Sequence, residues 1–186
     1  MRRLCLVLTV MVGLGLTAGT LFASTFLSAE FREVVSEAST IVRGRVTDVR
    51  AVRSTAGEVE SVVTIAVESA LKGSAERFVS MRVPGGTIGR YRTVMIGAPL
   101  MQVGEQAVFF LKRGAGNSLW PVGLAQGIYR VNPGTGGSAA MVQAPVLAGV
   151  TANAVGPVVR GDARRKALPV TEFESLVRLL LTQGAR

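Results

Sequence analysis

The alternation of apolar and polar residues between Thr40 and Gly73 is the strongest structural signal in the chain. It predicts two long β-strands joined by a turn at Ser54–Gly57, because a period of two is that of a half-buried strand. On the second strand the apolar residues share one face and the polar residues the other: Val59, Val63, Ile65, Val67 and Leu71 against Glu58, Glu60, Thr64 and Glu68.

The first of these strands changes phase along its length. Val42, Gly44 and Val46 share a face, whereas Val49 and Ala51 fall out of phase with them. A glycine in mid-strand together with such a slip predicts a β-bulge or a sharp bend. This is the feature with which a long strand turns the corner of a barrel.

Further strands are predicted at Phe78–Val83, Gln106–Leu111 and Gly127–Val131, with a weaker one at Ala139–Val142. Because Gln106–Leu111 is apolar on both faces, we expect it to be covered outside the barrel as well as inside. Two helices could cover it, and their apolar stripes are Phe31, Val34, Val35 and Ala38 in one and Phe173, Leu176, Val177 and Leu180 in the other. The sequence therefore predicts a mainly β fold, a five-stranded OB-like closed barrel with a short N-terminal helix and a C-terminal helix packed on it.

These elements divide the chain into four parts. Residues 1–23 have a basic start, an uncharged apolar run and small residues at the end, which predicts a secretory signal peptide. The alternative is an N-terminal membrane anchor formed by residues 4–22. Residues 24–142 are predicted to form the barrel and 170–183 the C-terminal helix, where Thr171 and Glu174 have capping-box spacing. Between them, 143–169 is predicted to be an extended surface segment with a basic cluster, Arg160, Arg164, Arg165 and Lys166.

The chain has no histidine, and its single cysteine, Cys5, lies in the predicted signal. These two facts exclude Ser-His-Asp and Cys-His nucleophile systems, ordinary zinc sites and the usual general base near neutral pH. No phosphate loop, dinucleotide motif or nucleophile elbow is present. Carboxylate chemistry stays open because Glu58 and Glu60 share a strand face, although such residues are more often solvated. We expect a protein that is not an enzyme, with no cofactor and no metal site.

The formal net charge is +9, and the predicted signal supplies two of these charges. A charge of this size attracts anionic partners such as acidic polysaccharide, lipid headgroups or acidic protein surfaces. The alternative is that it only keeps a small domain soluble. Charge alone therefore does not identify the partner.

The first candidate binding residues are Arg90, Tyr91 and Arg92, which lie in a long glycine-bearing loop from Thr87 to Gly104. Tyrosine and arginine contribute strongly to interfaces, and loops of this length usually have a function. The alternative is that Tyr91 packs over the barrel mouth. The second candidates are Arg43 and Arg45 on the first strand, for which the alternative is a solvated outer face.

Several short motifs together resemble a known family: Ala38-x-x-Ile41-Val42-x-Gly44-x-Val46, Val67-Glu68, Leu71-Lys72-Gly73, and Gly104-Glu105 before Phe109-Phe110-Leu111. Their spacing is similar to that of the netrin-like modules, OB-fold domains that include the tissue inhibitors of metalloproteinases, and to that of exported bacterial proteins of unassigned function. The resemblance covers roughly 31–131. The disulfides and amino-terminal cysteine of the inhibitors have no counterpart after residue 23. The resemblance therefore implies binding to an exported protein rather than direct contact with a protease zinc.

The expected function is that of a secreted or periplasmic, non-catalytic binding module for an exported protein or an anionic envelope polymer. The alternative is an inhibitor or accessory partner of an exported protease. Nucleic acid is not an expected partner, because export places the chain in the wrong compartment. A membrane is expected to contact the protein only if the N-terminal segment is retained.

Overall fold

The computed structural model describes residues 30–73, 76–134, 136–145, 147–149, 158–160 and 166–184. The predicted signal or anchor at 1–23 lies outside these ranges, as do Arg164 and Arg165 of the basic cluster. The helices are α1 (Phe31–Glu37) and α2 (Val170–Gln183), with 3-10 turns at Ala115–Asn117 and Leu124–Gly127. The strands are β1 (Thr40–Arg53), β2 (Val59–Lys72), β3 (Phe78–Pro84), β4 (Gly86–Ile88), β5 (Tyr91–Thr93), β6 (Gln106–Arg113), β7 (Leu119–Pro121), β8 (Ile128–Asn132), β9 (Met141–Gln143), β10 (Leu147–Gly149), β11 (Val158–Arg160) and β12 (Leu168–Pro169).

The predicted five-stranded closed barrel is confirmed. Its strands follow the order β1-β2-β3-β7-β6, and β6 pairs back onto β1 to close the ring. All of these pairings are antiparallel except that of β3 with β7, which is parallel and consists of the single pair Met81 and Leu119. The segment predicted as the fifth strand is present as β8, but it pairs with β6 beside β7 and extends the sheet to β9 and β12. The short β7 closes the ring instead.

The irregularity predicted in β1 is present. The register shifts between Val46 and Asp48, so Thr47 has no strand partner and its hydroxyl donates to the carbonyl of Thr64 at 3.2 Å. A second shift lies beside Gly44, where an added Cβ would stand 2.4 Å from the carbonyl oxygen of Ala66. Glycine is therefore required at this point because β2 passes too close for any side chain.

Strand β6 separates two hydrophobic cores, as its apolar faces predicted. Ala107, Phe109 and Leu111 face the barrel interior, while Val108 and Phe110 belong to an outer core shared with both helices. All five side chains are fully buried. The rest of the interior consists of Val42, Val46, Val63, Ile65, Val79, Met81, Val83 and Ile128. The helices thus cover the outside of the barrel over β6 and β8.

Four aromatic rings form the centre of the outer core and join both helices to the sheet. Phe31 of α1 lies edge-on to Phe110 of β6, with ring centroids 5.7 Å apart. Phe173 of α2 lies 5.2 Å from Tyr129 of β8 and 6.4 Å from Phe110. Edge-on and tilted aromatic pairs at these distances add to the stabilisation that burial provides. The docking of the helices therefore depends on this ring cluster.

The start of α2 differs from the prediction. The helix begins directly after Pro169, which pairs with Met141 as part of β12, so Thr171 lies inside the first turn and is not the N-cap. Glu174 makes ion pairs with Arg43 and Arg178. The predicted capping box is wrong because a proline with fixed φ already marks the boundary. In the described residues, neither helix combines the length and the apolar character that a membrane crossing requires.

We predict that Phe173→Ala lowers the free energy of unfolding by about 3–5 kcal/mol, because it leaves a cavity beside three other rings. Leu179→Ala on the same helix is the control, since Leu179 is half-exposed and its truncation should cost less than about 0.5 kcal/mol. Urea unfolding followed by circular dichroism measures both. Equal losses for the two variants would contradict the proposed role of the ring cluster.

Candidate functional site

The predicted long loop contains a small hairpin. Strands β4 and β5 pair with each other as a separate two-stranded sheet that turns at Gly89 and Arg90. The hairpin is attached near the turn that joins β1 and β2: the Gly85 N–H donates to the Val59 carbonyl at 2.9 Å, and the Ser61 hydroxyl donates to the Gly85 carbonyl at 2.8 Å. Its position relative to the barrel is therefore set by hydrogen bonds.

The second half of the loop is attached at three points. The Ala125 N–H donates to the Gly97 carbonyl at 3.1 Å, and the Gly104 N–H donates to the Val46 carbonyl at 2.8 Å. Arg130 forms an ion pair with Glu105 and also donates to the Leu100 carbonyl at 3.0 Å. These contacts give the loop a defined shape before any partner binds.

The loop carries most of the large apolar side chains that are exposed among the described residues. Six of the eight large apolar side chains that are exposed there belong to it. We call them the loop patch: Tyr91, Val94, Met95, Ile96, Leu100 and Val103. Exposed apolar side chains are unremarkable when scattered, but a concentration of this kind marks an interaction surface.

The first predicted candidates, Arg90, Tyr91 and Arg92, lie on β5 and its turn, and Tyr91 is itself part of the loop patch. Tyr91 is 57% exposed, so more than half of its surface is open to solvent. The Arg90 guanidinium lies 5.0 Å from the centroid of the Tyr91 ring and donates to its hydroxyl at 2.8 Å. Arg92 makes no side-chain hydrogen bond or ion pair within the part of the chain that the structure describes.

A cavity of about 430 Å³ lies between the loop and the end of the barrel. Its barrel wall includes Val49, Val63 and Val83, and its loop wall includes Ala98 and Met101. Arg92 and Thr93 line it on the hairpin side. Clefts of this size with mainly apolar walls and a few polar groups are typical ligand sites in proteins.

The second predicted candidates, Arg43 and Arg45, are engaged in contacts within the protein. Arg43 forms ion pairs with Glu68 and, at 2.8 Å, with Glu174 of α2. Arg45 donates to the Gly104 carbonyl at 2.9 Å. The two arginines therefore tie α2 and the end of the long loop to the barrel.

The two carboxylates of the predicted pair lie in different environments. Glu58 is exposed in the turn region, whereas Glu60 is buried and forms an ion pair with Arg82 at 2.8 Å. A second cavity, of about 360 Å³, lies beside the β3–β7 contact, and Arg82, Glu76 and Arg113 line it. No local pattern in the chain predicts this cavity, because its lining comes from segments far apart in sequence. Among the described residues, no three acidic, cysteine or histidine side chains cluster as a metal site.

The residue types predicted Arg90, Tyr91 and Arg92 as candidates, and the structure adds the exposed Val94, Met95 and Ile96 of the same loop. Leu100, Met101 and Val103 were not predicted as candidates either. Apolar residues beside glycine and proline in a long loop are the signal that could have indicated them.

No family model, curated protein or solved structure matches the chain. The resemblance to netrin-like modules stays a prediction.

We predict that Arg43→Ala destabilises the fold by about 2–4 kcal/mol, because it leaves the buried Glu174 carboxylate without its main partner. In a double-mutant cycle with Glu174→Ala, the two effects should overlap by about 1 kcal/mol or more. Arg50→Ala is the control, because its pair with Asp48 is exposed and should contribute less than about 1 kcal/mol. Urea unfolding measures all four variants, and strictly additive losses would disprove the coupling.

Proposed function

We propose that this protein is a non-catalytic binding module and that the loop patch, together with Arg90 and Arg92, binds a protein partner. The observation that carries the proposal is the concentration of exposed apolar side chains on one loop with a fixed shape. A protein partner fits this surface better than an anionic polymer does, because apolar side chains outnumber cations on it. Interfaces between proteins are enriched in tyrosine, methionine and arginine, all of which the loop offers.

The charges at the edge of the patch favour an acidic partner surface. Arg90 and Arg92 have no carboxylate partner within the described residues, whereas Arg43, Arg82 and Arg130 each face one. Unpaired cations beside an apolar patch attract a partner with carboxylates at matching positions and increase the association rate. This supports a heterologous protein whose contact surface is apolar at its centre and acidic at its edge.

Self-association fits the patch poorly. A symmetric dimer places the same surface of two copies face to face. Arg90 and Arg92 would then meet arginines of the other copy, or would have to be displaced from the contact. Like charges placed together in this way are unfavourable. A different protein is therefore the partner that we propose.

We predict that Arg90→Ala/Tyr91→Ala and, separately, Ile96→Ala/Leu100→Ala each weaken partner binding at least about tenfold, because central aromatic, arginine and apolar residues dominate interface energies. Capture from an envelope extract of the native host would identify the partner by mass spectrometry. Biolayer interferometry with that partner in purified form would then give the affinities.

The chain offers a matched control for the first variant. Arg77, directly before β3, and Phe78, its first residue, form the same kind of exposed pair, with the guanidinium 5.6 Å from the ring centroid. Arg77→Ala/Phe78→Ala should leave the affinity unchanged. Capture that is equal for wild type and both loop variants would refute the proposal, as would tight, salt-sensitive binding to purified envelope polysaccharide in place of a protein.

A further inference from the structure

We infer that the cavity between the loop and the barrel receives one apolar side chain of the partner, and that a carboxylate next to that side chain pairs with Arg92. This inference rests on the proposed function and names the chemistry that the loop recognises. The partner segment would combine a residue such as leucine, methionine or phenylalanine with an aspartate, a glutamate or a free carboxyl terminus beside it.

The walls of the cavity support an apolar occupant. Val63 and Val83 are fully buried barrel residues, and Val49 is half-buried beside them. Opposite them, Ala98 and Met101 of the loop also pack on the barrel core. An apolar side chain entering this space would lie over that buried base and contact the partly exposed Val49, Ala98 and Met101, which is an apolar environment of the kind that interface anchors occupy.

Arg92 is the charged residue among those that line the cavity, which favours a carboxylate on the ligand. Ser61 is already engaged with the Gly85 carbonyl, so its hydroxyl proton is not free for a ligand. Arg92 lines the cavity and its side chain has no partner in the described residues. A guanidinium forms two parallel hydrogen bonds with a carboxylate, which would fix the direction in which the partner segment enters.

Charge disfavours the three longest segments that the structure does not describe, 1–29, 150–157 and 161–165, as occupants of the cavity. The charged residues of 1–29 are Arg2 and Arg3, and those of 150–157 and 161–165 are Asp162, Arg164 and Arg165. Both regions are cationic overall and would bring positive charge towards Arg92. A partner with its own carboxylate is the better match.

The test uses the full-length protein and two small probes, N-acetyl-leucine and N-acetyl-leucine amide, followed by nuclear magnetic resonance. Both probes should shift the signals of Val49, Val63 and Met101. The carboxylate probe should bind about two- to fivefold more tightly, because the amide lacks the ion pair with Arg92. Arg92→Gln should remove this difference, whereas Arg50→Gln should preserve it.

Filling the cavity provides the second measurement. Ala98→Phe should weaken binding of the purified partner at least about tenfold. Thr93→Phe, at an exposed strand position that also lines the cavity, gives the same test if Ala98→Phe does not fold. Thr47→Phe on β1 is the control, because Thr47 is exposed and does not line the cavity.

The outcomes separate this inference from the proposed function. If the loop-patch variants abolish partner binding but cavity filling has no effect, the inference is wrong and the proposed function stands. Equal affinity of the two probes for the wild type, or probe shifts confined to the outer loop surface, would also overturn the inference. If neither the loop-patch variants nor the cavity-filling variants change the affinity for the partner, both the proposed function and the anchoring role of the cavity are wrong.

Discussion

Burial of β6 on both faces is the constraint on which the rest of this structure depends. Its alternate residues fill the barrel interior, and the remaining ones, Val108 and Phe110, must be covered from outside. Both helices supply that cover through Phe31 and Phe173, so their position follows from the strand. With the helices over β6 and β8, the end of the barrel at the β1–β2 turn is left to the long loop.

The ion pairs within the barrel determine which arginine side chains remain available for binding a partner. Arg43 attaches α2 through Glu174, and Arg82 neutralises the buried Glu60. Arg130 holds the loop in place through its ion pair with Glu105. The positive charges of the chain therefore have different roles: some neutralise carboxylates within the fold, and others remain for binding. Arg90 and Arg92 stay beside the loop patch with no carboxylate in the described residues, which is why the loop rather than the β1 surface is the better binding candidate.

The long elements were predictable from sequence because their patterns are long. The bulge in β1 follows from Gly44 and the phase slip after Val46, and the double burial of β6 follows from its uninterrupted apolar run. By contrast, β4, β5 and β7 have three residues each, too few to show a period of two. The ion pair between Arg43 and Glu174 joins positions 131 residues apart, which no local pattern encodes. The exposure of Val94, Met95 and Ile96 also could not be predicted, since apolar residues in sequence normally indicate a core.

The parallel contact between β3 and β7 is the weakest connection in the closed barrel. The ring is joined there by one residue pair, Met81 and Leu119, whereas β1 and β2 are paired along most of their length. A closed sheet loses continuity most easily where the fewest hydrogen bonds must break. Transient opening of the barrel should therefore start between β3 and β7, and amide hydrogens of β7 should exchange with solvent before those of the central strands.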